Sequence, residues 1–387
     1  MGGSVREEDD FTICGPKHMM LRTGPVIMLM EIDWGNEEHR RSMIACLLKS
    51  IYVLQNDQRR SVNDKLAPAW WQNFNFRLHR VLEFPCECLC CKCRQNILGA
   101  NIRSFIYGAI FKYDAPPGRR HPLAPCYIIA FRGTMQNDPT VFSDMLLNLE
   151  VLTNGQLGKC RRFQLARNEV AKLLDSIDHG DGRAVAMAGT GMNPDPIVWL
   201  AGHSLGASLA LDVGQHLMTS AGRNLPAFLF NPPHVSAAPV VQVLGMKEKD
   251  KKDMYTSSYK FKYVLGMTFW WSHMKRMEER FEQLSPWVPN IYVHQRDVIC
   301  KGFIDYFEAR RRLSKSSPEV AMVGTMLSFR DMIDAAFGKK SERAYLLPSA
   351  RLWVNASTRG SAHALKQWWQ QQGSDTLMLS SKVYDWS

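Results

Sequence analysis

Ser204 stands in Gly202-His203-Ser204-Leu205-Gly206, preceded by the apolar run Ile197-Val198-Trp199-Leu200-Ala201 and followed by the small residues Ala207, Ser208 and Ala210. A serine hydroxyl is a weak nucleophile unless it is presented bare to both a base and a substrate, and a sharp turn from strand to helix presents it so. Such a turn crowds its neighbours, and Gly202 and Gly206 take away the side chains that would collide. The turn also aims the start of the following helix at the serine, which lets the Leu205 N–H face an oxyanion forming on an attacked carbonyl. A bare Gly-x-Ser-x-Gly pattern is expected by chance roughly 0.1 times in a chain of this length. The buried-strand pattern before it and the small residues after it are what give it weight. The chemistry implied is acyl transfer through a serine.

Acyl transfer needs a base for the hydroxyl proton and an acid that orients the base. Where a serine sits on such a turn, these partners follow in chain order as Asp or Glu and then His, each on a loop past a strand's C-terminal end. Asp297 follows the apolar strand Ile291-Tyr292-Val293, and His363 is the one histidine beyond it. His363 would take the Ser204 proton and later return it to the leaving alcohol, while Asp297 would hold the imidazole tautomer and offset its transient charge. Asp305 is the alternative acid and His294 the alternative base; His363, in Ser361-Ala362-His363-Ala364-Leu365, taken alone fits a surface position at a helix start equally well. His203 and His234 read as packing residues. Phe131-Arg132-Gly133-Thr134 closes the strand Tyr127-Ile128-Ile129-Ala130, so the Thr134 N–H and hydroxyl could meet the oxygen that Leu205 serves. Losing one such donor typically costs roughly 3–4 kcal/mol of barrier lowering.

These residues require a sheet that carries loops at one end. Residues 106–113 and 125–131 read as strands either side of a turn containing Pro116, Pro117 and Gly118, and residues 196–201, 225–230 and 289–293 as short apolar runs like buried parallel strands. Helical periodicity marks residues 33–52, 163–177 and 206–218. Strands alternating with helices predict an α/β fold with a mostly parallel central sheet flanked by helices. Two helical stretches, about 246–286 and 303–347, look like insertions; the first carries Phe269, Trp270, Trp271, Lys275, Arg276 and Arg280 and is a candidate lid or lipid-facing segment. One main domain, residues 33–387, is expected behind a tail of residues 1–32.

With 387 residues, 45% of them hydrophobic, the chain can bury a large core, and its net charge of +11 suits an anionic surface or plain solubility. The basic residues gather in no aromatic-interleaved stretch or recognition helix, so nucleic acid is not an expected partner. Arg6, Glu7, Glu8, Asp9 and Asp10 near the start are unlike a secretory leader, and no run of eighteen apolar residues occurs. A cytoplasmic protein is the expectation, with contact at a membrane surface left open. Ten cysteines then read as thiols. Five of them lie within Cys86-Glu87-Cys88-Leu89-Cys90-Cys91-Lys92-Cys93, without the second spaced pair of a structural zinc site, so no metal and no cofactor is expected; acylation of this cluster is the minority reading.

Through Ala130-Phe131-Arg132-Gly133-Thr134, Gly202-His203-Ser204-Leu205-Gly206 and the downstream Asp and His, the sequence resembles the class 3 (fungal-type) lipases of the α/β-hydrolase superfamily. More closely it resembles a plant branch labelled GDSL esterase/lipase, through Asp33-Trp34-Gly35-Asn36, Trp70-Trp71, Phe228-Leu229-Phe230-Asn231-Pro232-Pro233, Trp287-Val288-Pro289 and His363-Ala364-Leu365-Lys366-Gln367-Trp368-Trp369, although the motif here is Gly-His-Ser-Leu-Gly. The likeness runs from about Asp33 onward and departs at the cysteine cluster. It implies an α/β-hydrolase fold, Ser204, Asp297 and His363 as the triad, Thr134 and Leu205 as oxyanion donors, and a lipid or other ester as substrate. The rival expectation is a non-catalytic lipase-like module used for signalling or binding. Oligomeric state is left open.

Overall fold

The computed structural model describes residues 20–23, 26–29, 32–60, 70–85, 104–114, 121–133, 161–179, 198–234, 248–268, 270–328, 332, 337 and 345–386. Thr134 and the cysteine cluster at 86–93 lie outside them, as do the turn at 116–118 and Phe269.

A small hairpin, β1 (Met20–Thr23) and β2 (Val26–Leu29), precedes the sheet. Helix α1 (Glu37–Arg60) starts where Asn36 accepts the Glu38 N–H through its side chain at 2.9 Å, which caps the first turn. It runs eight residues past the expected end at Tyr52, because the polar Gln55 is buried and its Oε1 accepts the Ile106 N–H at 2.6 Å. An inward-facing glutamine interrupts the apolar periodicity without ending the helix.

Eight strands then form one sheet in which spatial order follows chain order: β3 (Phe76–Pro85), β4 (Ser104–Tyr113), β5 (Tyr127–Phe131), β6 (Val198–His203), β7 (Ala227–Phe230), β8 (Asn290–His294), β9 (Ala350–Asn355) and β10 (Leu379–Tyr384). The five central strands β5 to β9 are parallel, while β3, β4 and β10 are antiparallel additions at the two edges. This is an α/β architecture with a mostly parallel sheet.

Both faces of the central strands are covered, which explains their unbroken apolar runs. Ile129, Leu200, Leu229 and Ile291 enter one core, and Ile128, Trp199, Phe228 and Tyr292 the other. Helices α2 (Arg161–His179) and α3 (Leu205–Ala221) supply Leu173, Leu174, Leu209 and Val213 to the first core, and α1 supplies Met43, Ile44, Leu47, Leu48 and Ile51 to the second. Each fully buried aliphatic side chain contributes about 1.5–3 kcal/mol relative to an exposed one. The sheet carrying Ser204 is therefore pinned from both sides.

Between β7 and β8 lie α4 (Glu248–Thr268) and α5 (Trp271–Leu284); between β8 and β9 lie α6 (Gly302–Ser316) and α7 (Pro318–Met326). These occupy the two stretches expected as helical insertions. Helix α5 is not laid loosely on the surface, since Met274, Met277, Phe281 and Leu284 join the same core as α3. No helix among the described residues is long and apolar enough to cross a membrane.

Candidate active site

Ser204 occupies the step from β6 into α3 with φ 54° and ψ −128°, a left-handed backbone that L side chains rarely adopt. Its N–H donates to the Phe230 carbonyl at 2.9 Å, which ties the turn to β7. Glycine on either side is a steric requirement. A Cβ on Gly202 would fall 2.3 Å from the Gly206 carbonyl oxygen, and one on Gly206 would fall 2.1 Å from that of Phe131. Leu205 is the first residue of α3, so its N–H is one of the four amides that helix geometry leaves without an intrahelical acceptor.

The structure brings Ser204, His363 and Asp297 together. His363 Nε2 lies 2.9 Å from Ser204 Oγ, and His363 Nδ1 lies 2.8 Å from Asp297 Oδ2. The three residues follow the C-terminal ends of β6, β8 and β9 and are separated by 66 to 159 positions in the chain. Asp297 is almost fully buried. Burial opposes its charge, but hydrogen bonds from His363, Cys300 and Asn231, with the charge on His363, hold the carboxyl below its ordinary range. Its second oxygen, Oδ1, accepts the Ile299 N–H at 3.0 Å. The carboxylate is thus fixed on both oxygens and stays ionised.

The alternative partners are engaged elsewhere. His294 accepts the Arg296 N–H at Nδ1, 3.0 Å, and meets Ser357 Oγ at Nε2, 3.2 Å. Asp305 lies in the first turn of α6, where Tyr255 donates to it at 3.4 Å.

His203, expected only to pack, does more. Its Nδ1 is 2.7 Å from Tyr52 Oη and its Nε2 is 3.0 Å from the His363 carbonyl oxygen, while Tyr52 Oη accepts the Gly133 N–H at 2.7 Å. Burial pushes the Tyr52 hydroxyl up to about 12, and burial together with the His363 charge brings His203 down to about 3. Both therefore keep one proton at neutral pH, and a single order satisfies the chain: Gly133 N–H to Tyr52, Tyr52 O–H to His203 Nδ1, and His203 Nε2–H to the His363 carbonyl. The end of β5, the elbow and the His363 loop become one hydrogen-bonded unit. Sequence alone placed Tyr52 at the end of a helical stretch and gave no signal for this contact.

Arg132 fixes the same end of β5, donating to the Ile106 carbonyl at 2.5 Å and to the Gly133 carbonyl at 2.6 Å. A Cβ on Gly133 would sit 2.7 Å from Ser204 Cβ, so the chain passes directly against the base of the Ser204 side chain at Gly133.

His234, also expected to pack, does so: its ring meets Phe303, Tyr306 and Tyr345 edge-on or tilted, and neither ring nitrogen has a hydrogen-bond partner among the described residues. Burial, assisted by the charge of Lys262, brings it from 6.5 to about 3. Below 6.5 the unfolded chain takes up a proton that the folded chain refuses, so this residue removes stability as pH falls from 6.5 toward 3. The expected slope is at most about 1.4 kcal/mol per pH unit. His234→Phe should make the urea midpoint less acid-sensitive between about pH 7 and pH 5, by up to about 2 kcal/mol. Parallel pH dependence in the two proteins would contradict the assignment.

Among the described residues no group of three or more His, Cys, Asp or Glu is arranged to hold a metal ion. Of the ten cysteines, three are described: Cys46 and Cys300 are buried, Cys126 is half-buried, and no disulfide joins them to one another.

A comparison with curated proteins finds an Arabidopsis thaliana protein named as a GDSL esterase/lipase, 30% identical over 400 residues that cover 99% of both chains. No protein-family model and no solved structure matches the chain.

Proposed function

The chain belongs to the esterase/lipase family of this Arabidopsis relative, and from that premise we propose that it is a serine hydrolase of the class 3 lipase type, built on the α/β-hydrolase fold, that cleaves carboxylic esters of lipids. The observation that supports this reading most is the continuous path from Ser204 Oγ through His363 to Asp297, with contacts of 2.9 and 2.8 Å. A strained serine at the step from a central parallel strand into a helix, with its partners past later strands, is the arrangement that gives the α/β-hydrolase fold its nucleophile.

In this reading His363 Nε2 takes the Ser204 proton as Oγ bonds to the ester carbonyl carbon, and the carbonyl electron pair moves onto oxygen. The Leu205 N–H and Thr134 stabilise that oxyanion, with Gly133 holding the approach to Ser204. Collapse breaks the bond to the alcohol oxygen, which leaves with the proton from His363. Water repeats the sequence on the acyl-serine and releases the acid. Asp297 stays ionised throughout and stabilises the imidazolium. Hydrolysis of a panel of acylglycerols, phospholipids, galactolipids and short-chain p-nitrophenyl esters tests the activity; a folded protein inert toward all of them would count against it.

Two observations favour a lipid surface as the source of substrate. Val264, Met267 and Trp271 are 55%, 41% and 55% exposed where α4 meets α5, beside the equally exposed Phe261. Lys260, Lys275 and Arg276, close to them in the chain, are exposed as well, a combination suited to anionic headgroups and acyl chains. Since α5 is anchored in the core by Met274, Met277 and Phe281, the segment serves as a fixed contact rather than as a swinging lid. Val264→Asp with Trp271→Asp should reduce sedimentation with phosphatidylserine-containing vesicles by about tenfold and leave hydrolysis of a soluble short-chain ester unchanged. Unaltered vesicle binding would remove this surface from the reading.

A further inference from the structure

Asn231 is fully buried at the end of β7 and holds a left-handed backbone, φ 48°. Every polar atom of its side chain is used. Nδ2 donates to Asp297 Oδ2 at 2.7 Å and to the Ala362 carbonyl at 3.0 Å, and Oδ1 accepts the Trp368 indole N–H at 2.6 Å. Its own N–H donates to the Tyr292 carbonyl at 2.8 Å. An amide nitrogen has two protons and an amide oxygen none, so these partners admit only one orientation: turned over, the oxygen would oppose a carboxylate and a carbonyl, and the nitrogen would oppose an N–H.

One small side chain thereby reaches three things that must agree in position: the Asp297 carboxylate, the residue immediately before His363, and the 3-10 turn Leu365–Trp369 that follows it. The outer end of this connection is firm. Trp368 is buried against Phe230 and Tyr292, and Arg41 of α1 donates to its carbonyl.

We propose that Asn231 is the positioning residue that sets the distance and angle between Asp297 and His363, by clamping the carboxylate and the histidine loop with the two protons of a single amide. The inference rests on the hydrolase reading above. Asn231 touches no reacting atom; it acts through the acid and the loop that carries the base. Displacing a catalytic group by about 1 Å costs on the order of 10²-fold in rate, which is the loss expected when the clamp is removed.

Two substitutions separate this role from a merely structural one. Asn231→Gly keeps a backbone that tolerates positive φ and deletes the amide, whereas Asn231→Asp keeps the shape and can donate only while its carboxyl is protonated. The titratable groups that face this position are Asp297 and Cys300 after β8 and His363 after β9; Tyr292 of β8 and Arg41 of α1 lie behind Trp368. Cys300 is an uncharged thiol, and it donates to Asp297 Oδ2 at 3.1 Å. A carboxyl placed beside Asp297 would lose its proton late, near neutrality, and would then repel both Asp297 and the Ala362 carbonyl.

The experiment measures kcat and KM for a soluble short-chain ester from about pH 5.5 to pH 8.5, with the folded fraction followed by near-UV circular dichroism at each pH. Asn231→Gly should lower kcat by about 10²-fold with KM unchanged. The ratio of Asn231→Asp to Asn231→Gly activity should fall by about tenfold as pH rises across that range, an alkaline loss that the wild type lacks. A flat ratio, or a loss that follows the folded fraction alone, would overturn the proposal. A folded wild type that hydrolyses nothing would instead overturn the hydrolase reading.

Discussion

Ser204→Ala is expected to lower ester hydrolysis by at least about 10⁴-fold while leaving the protein folded. The loss follows from geometry: with Oγ gone, His363 Nε2 has no hydroxyl 2.9 Å away to deprotonate, and no covalent acyl intermediate can form. Stability should change by less than about 1 kcal/mol, because the backbone bond from residue 204 to the Phe230 carbonyl remains and only one hydroxyl contact is deleted. Labelling by a fluorophosphonate, which forms a phosphorus–oxygen bond at an activated serine, reads the same atom directly. Wild type should label and Ser204→Ala should not. Equal labelling of both, or of neither, would favour the rival reading of a non-catalytic lipase-like module.

Asp297→Asn is the second large effect, with an expected fall in kcat of about 10⁴-fold at neutral pH. The carboxylate accepts His363, Asn231 and Cys300 at Oδ2 and the Ile299 N–H at Oδ1. An amide cannot reproduce this in either orientation. With its oxygen at the Oδ2 position, its NH₂ meets the Ile299 N–H; with its oxygen at the Oδ1 position, its NH₂ meets the Asn231 amide and the His363 N–H. Either way the imidazole loses its alignment and its countercharge. The measurement is kcat beside a urea unfolding curve, and a variant that keeps more than a tenth of wild-type kcat would show that this carboxylate is not the acid of the mechanism.

Much of the architecture could be read from residue patterns because the central strands are buried on both faces. Ile128, Ile129, Leu200 and Leu229 stand in apolar runs that announce such strands, and the Ser204 turn carries its own glycine signature. The edges were not legible. In β3 the alternation Phe76-Arg77-Leu78-His79 is broken by register shifts at Leu78/Arg80 and Leu82/Glu83, and in β10 Ser380, Ser381 and Lys382 form a consecutive polar run, so neither carries the sustained alternation that identifies a strand. Asp297 and His363 could be chosen from chain order, but their contact could not, since nothing local encodes a meeting across 66 positions. Asn231 was visible only as part of a Phe-Asn-Pro-Pro string. Its clamp depends on Ala362 and Trp368, more than a hundred residues away, and no periodicity reports a contact of that range. Tyr52 and His203 were hidden for the same reason.

The imidazole arrives late along the chain. Its loop is pinned from behind by Asn231 at the Ala362 carbonyl and by His203 at the His363 carbonyl, and β9 and β10 bracket it as an antiparallel pair. A nascent polypeptide that has emerged from the ribosome only to about residue 350 already displays the hydroxyl and the carboxylate, yet has nothing to pull the proton off the one or answer the charge of the other. On the proposed hydrolase reading, the base is therefore the last of the three groups to be made, and catalysis waits for the closing hairpin to dock.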